Sequence, residues 1–228
     1  MLIYIGYFKD FCNFVIQSTF MKEKDLMAEL NSIRSLMERS AKFISLHGLS
    51  GVLAGIYALI GAYIGYRLVY RTDNGMTYDN YSLHDQETIS KLVVVAVLVL
   101  ILSITTAVVL SARKAQQRHQ KIWNTASKAL LLNAGIPLLT GGLLILILLY
   151  RGYFGVIAPA CLIFYGLALI SGSHYTFNDV KWLGILQVIL GLFAAMMPGY
   201  GLLFWAGGFG VLHIIYGSVM YAKYDTAK

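Results

Sequence analysis

The chain has 228 residues, of which 58% are hydrophobic and only 13% are charged, and its formal net charge is +7. Soluble domains carry about 25% charged residues, so this composition excludes an ordinary soluble globule and indicates that most of the surface meets lipid. No polar block along the chain is large enough to fold alone. The sequence therefore predicts a leader at 1–42 and one membrane domain at 43–228.

The leader begins with an aromatic and apolar stretch, residues 1–20, which is interrupted by Lys9 and Asp10. This stretch is too short to cross a bilayer, and it lacks the basic start and the small-residue cleavage site of a signal peptide. We expect it to be dispensable for membrane insertion.

Residues 25–42 place apolar side chains along one stripe of a predicted helix, while charged residues occupy its other faces. The stripe consists of Leu26, Leu30, Ile33 and Met37. Such a helix can lie on the membrane surface, dock a soluble protein or pair with a second copy of the chain. The sequence favours a surface helix that leads into the first crossing.

Six later segments are long and apolar enough to cross a bilayer, which needs about 20 residues of helix. None has an acidic or basic residue in its interior, and they cover residues 43–66, 89–112, 129–150, 152–173, 180–197 and 201–222. The sequence therefore predicts an all-α polytopic membrane helix bundle with six transmembrane helices and an N-terminal cytoplasmic amphipathic helix. A tight turn joins the last two segments, so a re-entrant hairpin is the alternative for that pair.

Lysine and arginine residues are distributed unevenly between the two sides of the predicted bundle. Fourteen of the 18 fall in the leader, in the connections after the second and fourth segments, and at the C-terminal end, whereas four fall in the remaining connections. Cytoplasmic flanks retain positive charge during insertion, so both termini are predicted to be cytoplasmic.

The connection after the second segment is basic and contains no acidic residue. Four of its residues are expected to contact anionic lipid headgroups at the cytoplasmic face: Arg113, Lys114, Arg118 and Lys121. No recognisable nucleic-acid-binding module accompanies them, so we do not expect a nucleic-acid partner.

No motif of a nucleophilic, metal-dependent or nucleotide-binding enzyme is present, so we expect no catalysis, no cofactor and no bound metal. The polar residues inside the segments lie toward the middle or the cytoplasmic half. Five are candidates for a polar cavity that opens to the cytoplasm: His47, Asn133, His174, Gln187 and His213. The alternative, which the sequence favours, is that each one satisfies a neighbouring backbone or side chain.

The first segment contains two G-x-x-x-G motifs, formed by Gly51 with Gly55 and by Gly61 with Gly65. Small residues at this spacing let another helix backbone approach closely, so the segment is predicted to be a packing hub. The neighbouring helix belongs either to the same chain or to a second copy. Eight glycines of later segments are expected to extend such contacts: Gly135, Gly141, Gly142, Gly191, Gly207, Gly208, Gly210 and Gly217.

Two further patterns concern the later segments. Pro137 and Pro159 are expected to kink the third and fourth crossings. Residues 163–166 and 214–217 read IFYG and IIYG, 51 residues apart. This pair suggests that the hairpin of crossings three and four and the hairpin of crossings five and six are duplicates.

Three stretches near the first crossing resemble a family of uncharacterised six-helix bacterial inner-membrane proteins: RSLMERS at 34–40, KFISL at 42–46 and GLSGVLAG at 48–55. The resemblance implies a multi-pass protein of the bacterial inner membrane and supplies no activity. The leader helix and the basic connection favour a non-enzymatic sensing, regulatory or scaffolding role with a cytoplasmic protein partner. The alternative is a small-solute carrier or channel with a cytoplasm-facing polar cavity.

Overall fold

The computed structural model describes residues 48–69, 86–117, 123 and 125–225, all within the unit Phe43–Lys228. The predictions for residues 1–20 and for the amphipathic helix at 25–42 lie outside the described residues. So do three of the individual candidate residues, His47, Arg118 and Lys121.

Six helices in the described part of the chain are long and apolar enough to cross a membrane. This confirms the predicted multi-pass helical bundle. We number them α1 (Gly48–Val69), α2 (Gln86–Gln117), α3 (Thr125–Arg151), α4 (Ile157–Ser173, after a 3-10 turn at Phe154–Val156), α5 (Asn178–Met196) and α6 (Gly201–Tyr224). At 19 and 24 residues, α5 and α6 have the length of full crossings rather than of a re-entrant hairpin.

The sixth helix is not a regular α-helix. It starts as α-helix over Gly201–Trp205, widens to π-helix over Ala206–Leu212, and returns to α-helix over His213–Met220 before a final π-helical turn. Short π-helical insertions are uncommon and often lie at functional sites. The π-helical segment Ala206–Leu212 therefore marks the middle of α6 as a candidate functional region.

The turns between paired helices depend on glycine. Gly152 after α3 has φ +77° and Gly199 before α6 has φ +96°, and both values favour a residue without a Cβ atom. Pro137 lies inside α3 as predicted from its position. Pro159 lies in the first turn of α4, where a missing N–H breaks no α-helical hydrogen bond, and the expected kink there stays a prediction.

The helices pack in an open series in which α2 contacts α1, α1 contacts α6, α6 contacts α4 and α5, and α3 contacts α4. The start of α1 meets the end of α6, where Gly48 lies against the Tyr221 backbone. An even number of crossings requires these two ends to be on the same side. Helix α2 packs on α1 and helix α3 packs on α4. Between α2 and α3 lies a cleft that both helices line.

Two helix pairs approach closely through glycine. A Cβ atom added to Gly55 of α1 would lie 2.7 Å from the Gly210 carbonyl oxygen of α6. A Cβ atom added to Gly166 of α4 would lie 2.6 Å from the Gly184 carbonyl oxygen of α5, and the reverse distance from Gly184 is 2.7 Å. Backbone therefore faces backbone at both crossings, which is how small residues bring membrane helices together.

The predicted extension of these contacts to α3 is wrong at two positions. Nothing in the described structure lies within 4 Å of a Cβ atom added to Gly135 or Gly142, whereas Gly141 between them lies against the Phe164 ring. Neighbouring residues of a helix point in different directions, so only one of the adjacent pair 141 and 142 can face α4. Gly142, which lines the cleft as Gly141 also does, instead meets open space.

Candidate functional site

The cleft between α2 and α3 has a volume of about 1300 Å³ and extends along most of the length of α1. Among the described residues that line it, none is Asp, Glu, Lys or Arg. Its two rims are apolar and partly exposed, with Leu100 of α2 57% exposed and Leu146 of α3 62% exposed. The cleft is therefore open between the two rims, and its lining suits the apolar part of a ligand.

The floor of the cleft is aromatic. Trp205, Phe209 and His213 follow one another on successive turns of α6, with ring centroids 5.2 Å apart for the first pair and 5.9 Å for the second. Tyr165 of α4 lies against both later rings, 5.0 Å from Phe209 and 5.4 Å from His213. All four residues line the cleft, so an apolar ligand would rest on ring faces and edges.

Hydrogen bonds fix the orientation of the His213 ring. Its Nδ1 lies 2.9 Å from the Gly208 carbonyl oxygen, and its Nε2 lies 2.9 Å from the Tyr165 hydroxyl. A carbonyl oxygen only accepts, so Nδ1 carries the proton of the neutral ring and Nε2 accepts from Tyr165. The result is a directed series in which Tyr165 donates to His213 and His213 donates to Gly208.

Gln187 of α5 supports this series from behind the cleft. It is 0% exposed, and its Nε2 donates to the same Gly208 carbonyl at 2.9 Å. Its Oε1 has no hydrogen-bond partner in the described structure, and a Cβ atom added to Gly208 would lie 2.5 Å from that oxygen. Glycine at 208, inside the π-helical segment, thus lets Gln187 reach the α6 backbone.

The structure brings together two of the five residues predicted for a polar cavity. Gln187 and His213 share the Gly208 carbonyl, and of the described candidates only His213 lines the cleft. Asn133 is exposed on α3 and donates to the Ala129 carbonyl and to the Tyr175 hydroxyl. His174 is exposed at the end of α4.

The other predicted residues take different positions. Of the G-x-x-x-G glycines, Gly51 and Gly55 lie against the α6 backbone, Gly61 lies against a Val99 side chain, and Gly65 meets leucine side chains at ordinary contact distance. Of the described basic residues at the end of α2, Arg113 is exposed and Lys114 is 6% exposed. Burial at Lys114 leaves Arg113 as the described member of this group that solvent or headgroups can reach.

Sequence reasoning missed the residues that complete the floor, which are Tyr165, Trp205 and Phe209, and the role of the Gly208 carbonyl. One signal was present, since Tyr165 and Gly166 belong to the IFYG stretch that recurs as IIYG at 214–217. Both copies place their tyrosine in the cleft lining and their glycine at a close helix crossing. From the sequence alone, the repeat suggests duplicated hairpins and does not indicate that the two tyrosines share a cleft.

Comparison of the chain with protein-family models, with curated proteins and with solved structures yields no match.

Proposed function

We propose that this chain is a non-enzymatic membrane protein that takes a long-chain amphiphile from the bilayer into the cleft between α2 and α3, and that it acts as a sensor or regulator. The observation that carries the proposal is a large cleft that has no Asp, Glu, Lys or Arg among its described lining residues, has an aromatic floor, and has the hydrogen bonds of Tyr165 and His213 at its centre. Binding sites of small molecules commonly combine an apolar lining with a few placed polar groups.

The lining of the cleft suits a lipid chain. The side chains that α2 and α3 place along it are mostly apolar, and it follows most of the length of α1, so a hydrocarbon chain lying along it meets apolar side chains on both sides. The partly exposed rims at Leu100 and Leu146 leave a lateral way in.

Selectivity in such a site cannot come from hydrophobicity alone. A lipid tail is as apolar in the bilayer as in the cleft, so moving it gains little from the hydrophobic effect. Van der Waals contact with the aromatic floor and hydrogen bonding at its centre must decide which amphiphile stays. That requirement suits a sensor, which has to distinguish one bilayer component from the bulk lipid.

The proposal includes the membrane orientation. We place both termini in the cytoplasm of a bacterium, with the cleft inside the inner membrane, and this placement is supported by the 14 basic residues on one side against four on the other. Anionic headgroups and a cytoplasmic protein partner would then meet the end of α2 that carries Arg113, while no nucleic acid is involved.

Equilibrium binding in detergent tests the proposal. Radiolabelled 1-octadecanol is expected to bind the parent protein saturably at one site per chain. Gly142→Phe places a ring in the cleft, where a Cβ atom meets open space, and should abolish saturable binding. Gly135→Phe is the matched control, because Gly135 is on the same helix with equally open surroundings but outside the cleft lining. Absence of saturable binding to the parent, or equal binding to both variants, contradicts the proposal.

A further inference from the structure

The polar group at the floor of the cleft has a definite hydrogen-bonding direction, and this restricts the ligand. We infer that the cleft selects an amphiphile whose polar end is an uncharged hydrogen-bond donor, such as a hydroxyl or an amide N–H, and that the Tyr165 hydroxyl oxygen accepts from it. The inference rests on the proposed function and names the chemical class of ligand.

The direction follows from the backbone. The Gly208 carbonyl accepts from His213 Nδ1 at 2.9 Å, so the neutral ring has its acceptor at Nε2, which faces the Tyr165 hydroxyl at 2.9 Å. The single proton of Tyr165 is therefore committed to His213. The hydroxyl oxygen keeps acceptor capacity, because a hydroxyl has one donor and two lone pairs.

Tyr165 lies on the cleft side of the hydrogen-bond series. Tyr165 and His213 both line the cleft, whereas Gln187, which holds the other end of the series, does not. Within the described part of the chain, the Tyr165 hydroxyl forms a hydrogen bond with His213 alone. An acceptor-only group thus lies at the ligand-facing end of the series.

The lack of charged side chains in the cleft and the depth of Tyr165 in the membrane also disfavour a charged ligand. No Asp, Glu, Lys or Arg is present among the described residues that line the cleft, and Tyr165 lies near the middle of α4. An ionised carboxylate at that depth would face a neutral His213 ring and no permanent positive charge, and it would bring its lone pairs against the lone pairs of Tyr165. A hydroxyl group at the same place carries no net charge and donates the bond that the tyrosine can accept.

Four probes with the same 18-carbon chain separate these contributions: 1-octadecanol, octadecyl methyl ether, n-octadecane and stearate at pH 8. Each competes with radiolabelled 1-octadecanol for the parent protein in detergent. The alcohol should bind about three- to tenfold more tightly than the ether, which corresponds to one net hydrogen bond. The alkane should resemble the ether, and stearate should bind more weakly than the alcohol.

Tyr165→Phe combined with His213→Phe keeps both rings on the floor and removes the accepting oxygen. It also removes the acceptor nitrogen that Tyr165→Phe alone would uncover, so the ratio of ether to alcohol dissociation constants should fall to about one. Tyr216→Phe is the control, because Tyr216 also lines the cleft and loses the same hydroxyl, and the parent ratio should remain. A reduced affinity for all probes with an unchanged ratio would indicate a purely structural role for the hydroxyl and would overturn the inference.

The remaining outcomes separate the inference from the proposed function. Equal binding of alcohol and ether by the parent, or tighter binding of stearate, overturns the inference and leaves an apolar cleft that binds chains without regard to their polar end. Loss of the ratio in Tyr216→Phe assigns the recognition to another tyrosine and likewise overturns it. Absence of saturable binding for every probe overturns the proposed function and the inference together.

Discussion

Replacing Gly55 and Gly65 by alanine tests whether α1 is held against α6 by backbone contact. Both residues belong to G-x-x-x-G motifs of the same helix, and the sequence treats them alike. In the structure, however, the two glycines have different neighbours. A Cβ atom at 55 would lie 2.7 Å from the Gly210 carbonyl oxygen and 3.0 Å from the Ile214 backbone nitrogen, whereas at 65 the nearest atom is a Leu92 methyl carbon at 3.4 Å.

The expected difference between the two variants can be worked out from these contacts. Each substitution gains about 1 kcal/mol of helix propensity, which cancels in the comparison. Gly65→Ala adds an ordinary contact, so it should be as stable as the parent or more stable. Gly55→Ala has to separate two backbones, and overpacking of this kind costs about 1–3 kcal/mol. Gly55→Ala is therefore expected to be less stable than Gly65→Ala by about 1–3 kcal/mol.

Thermal unfolding of the two variants in one detergent measures this difference. For a chain of this length 1 kcal/mol corresponds to about 2–4 °C in Tm, so Gly55→Ala should melt about 2–12 °C below Gly65→Ala. Gly142→Ala serves as a second control, because a Cβ atom there meets open space. If Gly55→Ala melts at or above Gly65→Ala, the α1 and α6 backbones are not in contact and the packing argument fails.

Three further predictions concern topology, the leader and the buried amide. A cysteine at position 117 should be shielded from an impermeant external thiol reagent and one at position 80 should react, as the positive-inside rule requires; the reverse pattern would invert the bundle. Deleting residues 1–20 should leave insertion and Tm unchanged, and loss of folded protein would show that they are structural. Gln187→Met should change the unfolding free energy by less than about 1.5 kcal/mol, because the side-chain volume is nearly conserved and the Gly208 carbonyl keeps its hydrogen bond from His213. Chemical unfolding measures this change, and a loss above about 3 kcal/mol would show that the Gln187 amide is essential.

The six crossings were predictable because hydrocarbon imposes a length and an apolar composition on every helix that spans it. The helices are apolar around most of their circumference, however, so the sequence does not show which side faces a neighbour. Asn133 and Gln187 illustrate this. Both were identified as candidates from their depth, yet the structure leaves Asn133 exposed and buries Gln187 completely.

The candidate site was predicted only in part, for the same reason. His213 was identified as a polar residue at mid-depth, but its partners lie 48 residues away at Tyr165 and five residues away at Gly208. The contact with Tyr165 depends on how α4 and α6 cross. The contact with Gly208 depends on a π-helical segment, which local residue propensities do not predict. Likewise, the Gly166 and Gly184 crossing depends on two helices meeting at one level, which the G-x-x-x-G pattern did not mark.

The most direct test of the account is whether bilayer chains reach the floor of the cleft. Trp205 lines the cleft, while Trp123 and Trp182 are 64% and 57% exposed, so replacing the latter two by phenylalanine leaves a single reporter. The protein is reconstituted in phosphatidylcholine that contains a small fraction of 1-octadecanol with a dibrominated chain, whose bromine atoms quench indole fluorescence on contact, and in the same lipid mixture with unbrominated 1-octadecanol. The account predicts strong quenching of Trp205 that Gly142→Phe relieves and Gly135→Phe does not. Equal Trp205 emission in the two lipid mixtures, or quenching that both variants leave unchanged, would contradict it.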